Sequence, residues 1–496
     1  MDQTRAGRFE DTFERATKTA GLIAGPTLGA VTWLSNPGGH PPDARRLLAI
    51  LVVAVCFWVT EAIPLPATAL LASALCIVTG VAPARTVLAP YADPVIFLFI
   101  GSFLLAEAFR KYHLDRRIAG VMLRSRTFGR SPGGLIAGFG LSSAAISTCL
   151  SNTATAALMT PIAVGAVEKP EQERTMPWSS GVLLMVAYGA SVGGMATLIG
   201  TPPNLLTAGF IERLGGVKVG FSAWLLFGVP LALVLLALSI FWTRLVLGRA
   251  AGVHPAVSPV ELIERETAEE TAGRRWTLVA FALAGLLWTL PAIVSAVAGP
   301  DADIAKDLTR LLPESAVALL SASLLFVAPT SWRERRFALT WAEGRQVNWG
   351  IILLFGGGLS LGTLAETTGI ARWAGEGISR TSLAATPAGL LAVAIAMTIV
   401  ISEFASNTAA ATLLVPIVIA AAQAAGFDPV RPALGAGLAA TCGFIFPVST
   451  PPNAIVFGTG LVPLRRMIRV GVLLDVSSFV VVWLGMLLLT PLLPHR

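Results

Sequence analysis

Charge is what this chain lacks most. Of its 496 residues, 13% are Asp, Glu, Lys or Arg, against roughly 25% in soluble globular proteins. A chain of this length with so little polar surface cannot stay in water, which excludes a soluble enzyme. The formal charge is +7, but the basic residues fall in short clusters between apolar runs rather than along one surface, so a nucleic-acid partner is excluded as well. Cysteine and histidine are also scarce. The four Cys (Cys56, Cys76, Cys149, Cys442) and four His (His40, His113, His254, His495) are scattered without CxxC or Cys/His spacing, which argues against a disulfide framework and a structural metal site. No acidic metal-binding pair, His/Glu cluster or nucleophile motif falls inside the apolar runs, so a membrane-embedded enzyme finds no chemistry there. The N-terminus lacks the basic n-region and small-residue cleavage site of a signal peptide, and the first apolar run is expected to stay in the mature protein.

What is present is apolar. Hydrophobic residues make up 54% of the chain, and the mean hydropathy is +0.73. Runs able to cross about 30 Å of hydrocarbon lie near 19–36, 46–63, 66–84, 91–110, 180–212, 221–247, 276–298, 311–329, 349–368, 432–460 and 468–492. Two further segments, 132–166 and 384–424, are apolar but interrupted by polar triplets and prolines, the pattern of re-entrant hairpins. The expected fold is an all-α integral membrane protein of about 11 transmembrane helices plus two hairpins. With a cytoplasmic N-terminus, most Lys and Arg fall on the inner side, and the odd number of spans puts the C-terminus outside. The segment His113–Phe128 reads as an interfacial helix on the inner leaflet, and the polar stretch 253–275 as a cytoplasmic linker between two halves. The expected division is 1–130, 131–248, 249–275, 276–383 and 384–496.

The halves repeat. Ser151-Asn152-Thr153-Ala154-Thr155-Ala156-Ala157-Leu158-Met159-Thr160-Pro161-Ile162 matches the segment 255 residues later, Ser406 to Ile417, at eight of twelve positions, and Thr201-Pro202-Pro203-Asn204 recurs as Thr450-Pro451-Pro452-Asn453. Hairpin followed by broken helix therefore occurs twice. By the span count the first hairpin opens from the cytoplasm and the second from outside, which makes the repeats inverted, with a site near the midplane where they meet.

Thr-Pro-Pro-Asn cannot continue a helix, because each Pro removes a donor and clashes with the preceding turn. The break leaves carbonyls that need protein, water or an ion at that depth. A sodium ion takes oxygen ligands, so such carbonyls and the amide oxygens of Asn152 or Asn407 suit it. A half-helix starting at Ser-Asn-Thr turns its N–H groups toward an anion. Neither hairpin core, 142–166 or 391–422, contains an Arg or Lys. An anionic substrate there is balanced by bound cations and helix ends, which implies strict coupling. Glu61, Glu107, Glu366 and Glu403 are possible ion or proton carriers, but each lies near a span end or hairpin where snorkelling or capping competes. Gly193-Gly194 and Gly356-Gly357-Gly358 are expected to let helices pack closely.

Together with Trp58-Val59-Thr60-Glu61-Ala62-Ile63-Pro64-Leu65-Pro66, these motifs resemble the divalent-anion:sodium symporters over nearly the whole chain. That family includes sodium-coupled dicarboxylate, citrate and sulfate transporters. The resemblance implies a homodimer in the plasma (inner) membrane, with a scaffold of spans one to four and seven to nine. A transport unit, formed by both hairpins with spans five, six, ten and eleven, would move against it as an elevator. It implies a first sodium site at Ser147, Ser151, Asn152 and the Gly200 carbonyl, and a second at Ser402, Ala405, Asn407 and the Ser449 carbonyl. It places substrate carboxylates against Ser151, Asn152, Thr153, Ser406, Asn407 and Thr408, with Thr201, Pro202, Thr450 and Pro451 lining the pocket. The function it implies is sodium-coupled import of C4-dicarboxylates such as succinate, malate or fumarate, with sodium co-transported and no organic cofactor. A sodium-independent exchanger, a sulfate or citrate carrier and a proton-coupled carrier using Glu61 or Glu403 are the alternatives in the same class, and an anion channel is the alternative outside it.

Overall fold

The computed structural model describes residues 3–123, 128, 131–167, 176–248, 267–299, 301–379 and 384–489. Most of the expected linker, 249–266, and part of the expected interfacial helix, 124–127, lie outside the described residues. The first repeat holds α1 (Gln3–Ser35), α2 (Pro42–Thr60), α3 (Leu65–Val78), α4 (Ala84–Leu88), α5 (Pro94–Lys111), α6 (Leu114–Leu123), α7 (Pro132–Ser147), α8 (Asn152–Val167), α9 (Pro177–Met195), α10 (Pro202–Gly215) and α11 (Phe221–Leu247). The second holds α12 (Ala268–Ala298), α13 (Asp303–Leu311), α14 (Glu314–Val327), α15 (Trp341–Gly344), α16 (Trp349–Thr367), α17 (Ile370–Ser379), α18 (Pro387–Phe404), α19 (Asn407–Ala424), α20 (Val430–Ala439), α21 (Pro451–Gly458) and α22 (Leu464–Leu489). A short antiparallel pair, Pro329–Ser331 with Arg336–Phe337, lies between α14 and α15.

Among the described residues, seven helical stretches are long and apolar enough to cross a membrane, or eight if α13 and α14, bent by 59°, count as one span. The runs expected as single spans at 180–212 and 432–460 are each two helices with an unwound stretch between them. Large apolar side chains point outward from α11, α12 and α22, among them Leu233, Phe241, Leu286, Ile293, Val476 and Leu488. That arrangement is stable only where the surrounding solvent is itself apolar.

Proline opens α2, α5, α7, α9, α10, α18 and α21 at the first helical position, where its missing N–H costs nothing. Side-chain caps mark the repeat beyond the motifs. Ser131 accepts from Gly134 N at 3.0 Å to start α7, and 255 residues later Thr386 accepts from Gly389 N at 3.0 Å to start α18. Asp93 caps α5 through Val95 N at 3.0 Å, and at the same offset Asn348 caps α16 through Ile351 N at 3.3 Å. The residue types differ within each pair, but each supplies an oxygen acceptor to an otherwise orphan N–H.

The repeats pack by exchange. Helix α3 lies on α16 while α14 lies on α5, and α8 lies against α21 while α19 lies against α10. Each hairpin thus meets the broken helix of the other repeat. Adding a methyl at Gly193 would drive it into the Ala144 backbone, and adding one at Gly356 or Gly357 would drive it into Tyr91 or Ala69. Both glycine clusters serve close helix packing, as expected.

Candidate functional site

Each hairpin ends in a tight turn with its triplet at the start of the returning helix. Ser147 is the last residue of α7 and Asn152 the first of α8. Ser402 lies in the last turn of α18 and Asn407 opens α19. The Ser147 hydroxyl donates to Asn152 Oδ1 at 2.9 Å, and the Ser402 hydroxyl donates to Asn407 Oδ1 at 2.9 Å. Ser151 Oγ accepts from Ala154 N at 3.3 Å and Ser406 Oγ from Ala409 N at 3.2 Å. In both repeats a Ser caps the returning helix and an Asn oxygen faces a Ser oxygen. Two hard oxygens turned toward each other, below a helix N-terminus, can receive a cation on one side and an anion on the other.

Exposure varies across the candidate residues. Ser147, Asn152, Ser402 and Ala405 are buried, whereas Ser151 and Thr153 are exposed and Ser406, Asn407 and Thr408 are half-buried. Thr201, Gly200, Ser449 and Thr450 are buried, Pro202 is half-buried and Pro451 is exposed. The candidate sodium ligands are mostly buried, whereas the candidate substrate residues range from buried to exposed, and Ser151, Asn152 and Asn407 belong to both sets.

The broken helices are held open by their own asparagines. Asn204 Nδ2 donates to the carbonyls of Gly194 at 2.9 Å and Thr197 at 2.7 Å. At an offset of 249, Asn453 Nδ2 donates to the carbonyls of Gly443 and Phe446, both at 3.0 Å. The Trp224 indole N–H adds a bond to the Met195 carbonyl at 3.1 Å, at the end of α9. Of the three partners expected for the break's carbonyls, protein, water or an ion, protein serves at these positions, since the fourth residue of Thr-Pro-Pro-Asn meets two of them in each repeat. The motif's asparagine thus supplies donors to carbonyls that the unwound backbone leaves without a helical partner. Thr450 Oγ1 also caps α21 through Asn453 N at 3.2 Å.

Hairpin and break touch within each repeat. A methyl on Gly200 would come 3.0 Å from the Ser147 carbonyl oxygen, and a methyl on Gly194 would strike Asn152 Oδ1. The Thr197 hydroxyl donates to the Thr148 carbonyl at 2.7 Å. In the second repeat Ser402 Oγ donates to the Ala440 carbonyl at 2.7 Å, and a methyl on Gly443 would come 3.2 Å from the Ser402 carbonyl. The structure thus groups Ser147, Asn152 and Gly200 in one place, and Ser402, Asn407 and the second break in another. Among the described residues no hydrogen bond joins the two triplets directly. Gly194 shapes the first site and is legible in sequence only as one more small residue in a membrane helix.

Of the four acids singled out by position, three behave as end groups. Glu61 terminates α2 in a left-handed conformation, Glu107 pairs with Arg110 on α5, and Glu366 is exposed near the end of α16. Glu403 differs. It is buried, and its carboxylate accepts from Ile445 N at 3.1 Å, Phe446 N at 3.2 Å and Ser449 Oγ at 2.6 Å. An apolar groove of about 510 Å³ opens elsewhere, between α2, α16, α17 and α19 along Leu51, Trp58, Trp373 and Pro416, and no residue of either Ser-Asn-Thr triplet or either Thr-Pro-Pro-Asn break lines it.

Residues 17–493 match the family model described as the sodium:sulfate symporter transmembrane region. The chain is similar to the sodium-dependent dicarboxylate transporter SdcS of Staphylococcus saprophyticus, at 31% identity over 95% of this chain and 91% of the relative. It is also similar to SdcS of Staphylococcus aureus strain bovine RF122, at 29% identity over 96% and 92%. Among solved structures it is similar in fold to the Alcanivorax borkumensis YdaH transporter (TM-score 0.54, 13% identity, 82% of this chain and 87% of that one). Neisseria gonorrhoeae MtrF gives a TM-score of 0.58 at 15% identity, over 83% and 84%.

Proposed function

The chain belongs to the sodium:sulfate symporter family, a family of membrane transporters rather than enzymes, and on that premise we propose that it imports a C4-dicarboxylate together with sodium. The observation that carries this reading is the pair of Ser-Asn-Thr hairpin tips, each set against an unwound Thr-Pro-Pro-Asn break, with no Lys or Arg in either hairpin core. An anion at these tips meets helix N-termini and hydroxyls but no fixed positive charge, and sodium ions bound beneath it supply what is missing. Relatives named as sodium-dependent dicarboxylate transporters favour a dicarboxylate over sulfate or citrate.

In this reading one sodium ion is held by Ser147, Ser151, Asn152 and the Gly200 carbonyl, and another by Ser402, Ala405, Asn407 and the Ser449 carbonyl. Substrate carboxylates rest on Ser151, Asn152, Thr153, Ser406, Asn407 and Thr408, beside Thr201, Pro202, Thr450 and Pro451. The repeats are inverted, the N-terminus is cytoplasmic and the C-terminus outside, and the chain works as a homodimer in the plasma membrane. Both hairpins and both breaks travel together as an elevator against a scaffold of the remaining spans. The exchanged packing of α8 on α21 and α19 on α10 supports their moving as one body.

Uptake of labelled succinate into proteoliposomes tests the reading, with an inward sodium gradient, an equal potassium gradient, or unlabelled succinate inside without sodium. Uptake driven only by sodium is expected. Uptake driven only by internal succinate would mean sodium-independent exchange instead.

A further inference from the structure

The second repeat contains an acid pair with no positive partner. Glu403 ends α18 at 3% exposure and Asp475 sits in the middle of α22 at 7%, facing it. The Glu403 carboxylate is met by two backbone N–H groups and the Ser449 hydroxyl. Asp475 is held less firmly: its carboxylate lies beside the Glu403 carboxylate and the Phe444 N–H, but neither of its oxygens, nor the hydroxyl of Ser478, one turn further along α22 and 1% exposed, has a hydrogen bond of good geometry. Among the described residues no Lys, Arg or His pairs with either acid. Two carboxylates side by side in an apolar interior are costly unless a cation lies between them.

We propose that Asp475, Ser478 and Glu403 form a third sodium site, beneath the second break. The inference rests on the sodium-coupled reading above and adds one ion to it. The donors are all oxygen, which suits a hard cation. Among the described residues no group of three or more His, Cys, Asp and Glu is gathered anywhere, so a transition metal finds no ligand set. A proton on Asp475 can bridge to Glu403 but leaves the second Asp475 oxygen and the Ser478 hydroxyl unserved, whereas a sodium ion, which takes several oxygen ligands, can serve both carboxylate oxygens and the hydroxyl together. The first repeat offers no equivalent. Thr148 stands where Glu403 would be, Gly200 stands in place of Ser449, and α11, which packs on α22, contains no acid. The additional ion therefore belongs to the second repeat alone.

The test is the flux ratio of radiolabelled sodium to labelled succinate in proteoliposomes, with proton uptake followed by an internal pH dye. Asp475→Asn is expected to transport about one sodium fewer per succinate than the wild type. Ser478→Ala is expected to keep the wild-type ratio while raising the half-saturating sodium concentration by roughly threefold to tenfold, the loss of one hydrogen-bond-sized contact. An unchanged ratio in Asp475→Asn, or loss of a proton rather than a sodium, would overturn the site and leave symport standing. A wild type without sodium-linked uptake would overturn both. Should Asp475→Asn fail to insert, Ser478→Ala decides alone, and an unchanged sodium requirement there contradicts the proposal.

Discussion

In the first repeat the hairpin is tied to its break by neutral groups. The Thr197 hydroxyl bonds the Thr148 carbonyl at 2.7 Å, and Gly200 packs against Ser147. In the second repeat the same junction is made by a carboxylate, with Glu403 receiving Ile445 N, Phe446 N and Ser449 Oγ. The scaffolding is otherwise shared, down to the caps at Ser131 and Thr386 and the double bonds from Asn204 and Asn453. A duplicated frame has thus kept its backbone solution and diverged in charge. The first hairpin junction carries only neutral oxygens, and the second adjoins two buried acids. Position in the repeat therefore does not imply equal tolerance to change.

The largest effect that probes this difference comes from adding an anion to each site. Asn152→Asp and Asn407→Asp place a fixed charge in the proposed substrate site, and each is expected to lower sodium-dependent succinate uptake by about 100-fold or more, a loss of about 3 kcal/mol. Asn407→Asp should be the lower, because Glu403 and Asp475 already lie in its neighbourhood. Initial rates normalised to protein in the membrane measure this, and wild-type rates in Asn152→Asp would remove the site assignment. A smaller effect sharpens the steric side. A methyl on Gly194 would strike the Asn152 amide oxygen, whereas one on Gly443 comes 3.2 Å from the Ser402 carbonyl, a contact relieved by a few tenths of an ångström. Sodium activation curves at fixed succinate should show the half-saturating concentration raised by about tenfold in Gly194→Ala and by about threefold or less in Gly443→Ala. The reverse order would break the comparison. The smallest effect lies at the surface. Thr153→Ala and Thr408→Ala should each raise the apparent succinate constant by roughly threefold to tenfold, one hydrogen bond's worth, with membrane levels unchanged. An unchanged constant in Thr408→Ala would make Thr408 a packing residue.

The architecture was legible where the chain repeats identity. Ser-Asn-Thr and Thr-Pro-Pro-Asn announced hairpins and broken helices, and α8, α10, α19 and α21 begin at those motifs. The rest of the repeat was hidden because it preserves chemistry rather than residue type. Ser131 and Thr386, or Asp93 and Asn348, share only an oxygen aimed at an N–H. The asparagines at 204 and 453 were visible as part of a motif, but their two bonds run back across the break to carbonyls whose positions depend on the unwound backbone. Asp475 gave no signal beyond one acid in an apolar run, because its meaning comes from Glu403, which only the packing of α18 on α22 brings near.

The hairpin tips carry no positive side chain, and in the proposed mechanism they hold an anion only with sodium beneath it. Equilibrium binding of labelled succinate to the purified protein, in sodium and in choline at equal ionic strength, tests this without requiring transport. Binding in sodium that weakens by about 100-fold or more in choline is predicted. Equal affinity in both would contradict it, and would mean that the Ser-Asn-Thr helix ends suffice for the anion on their own.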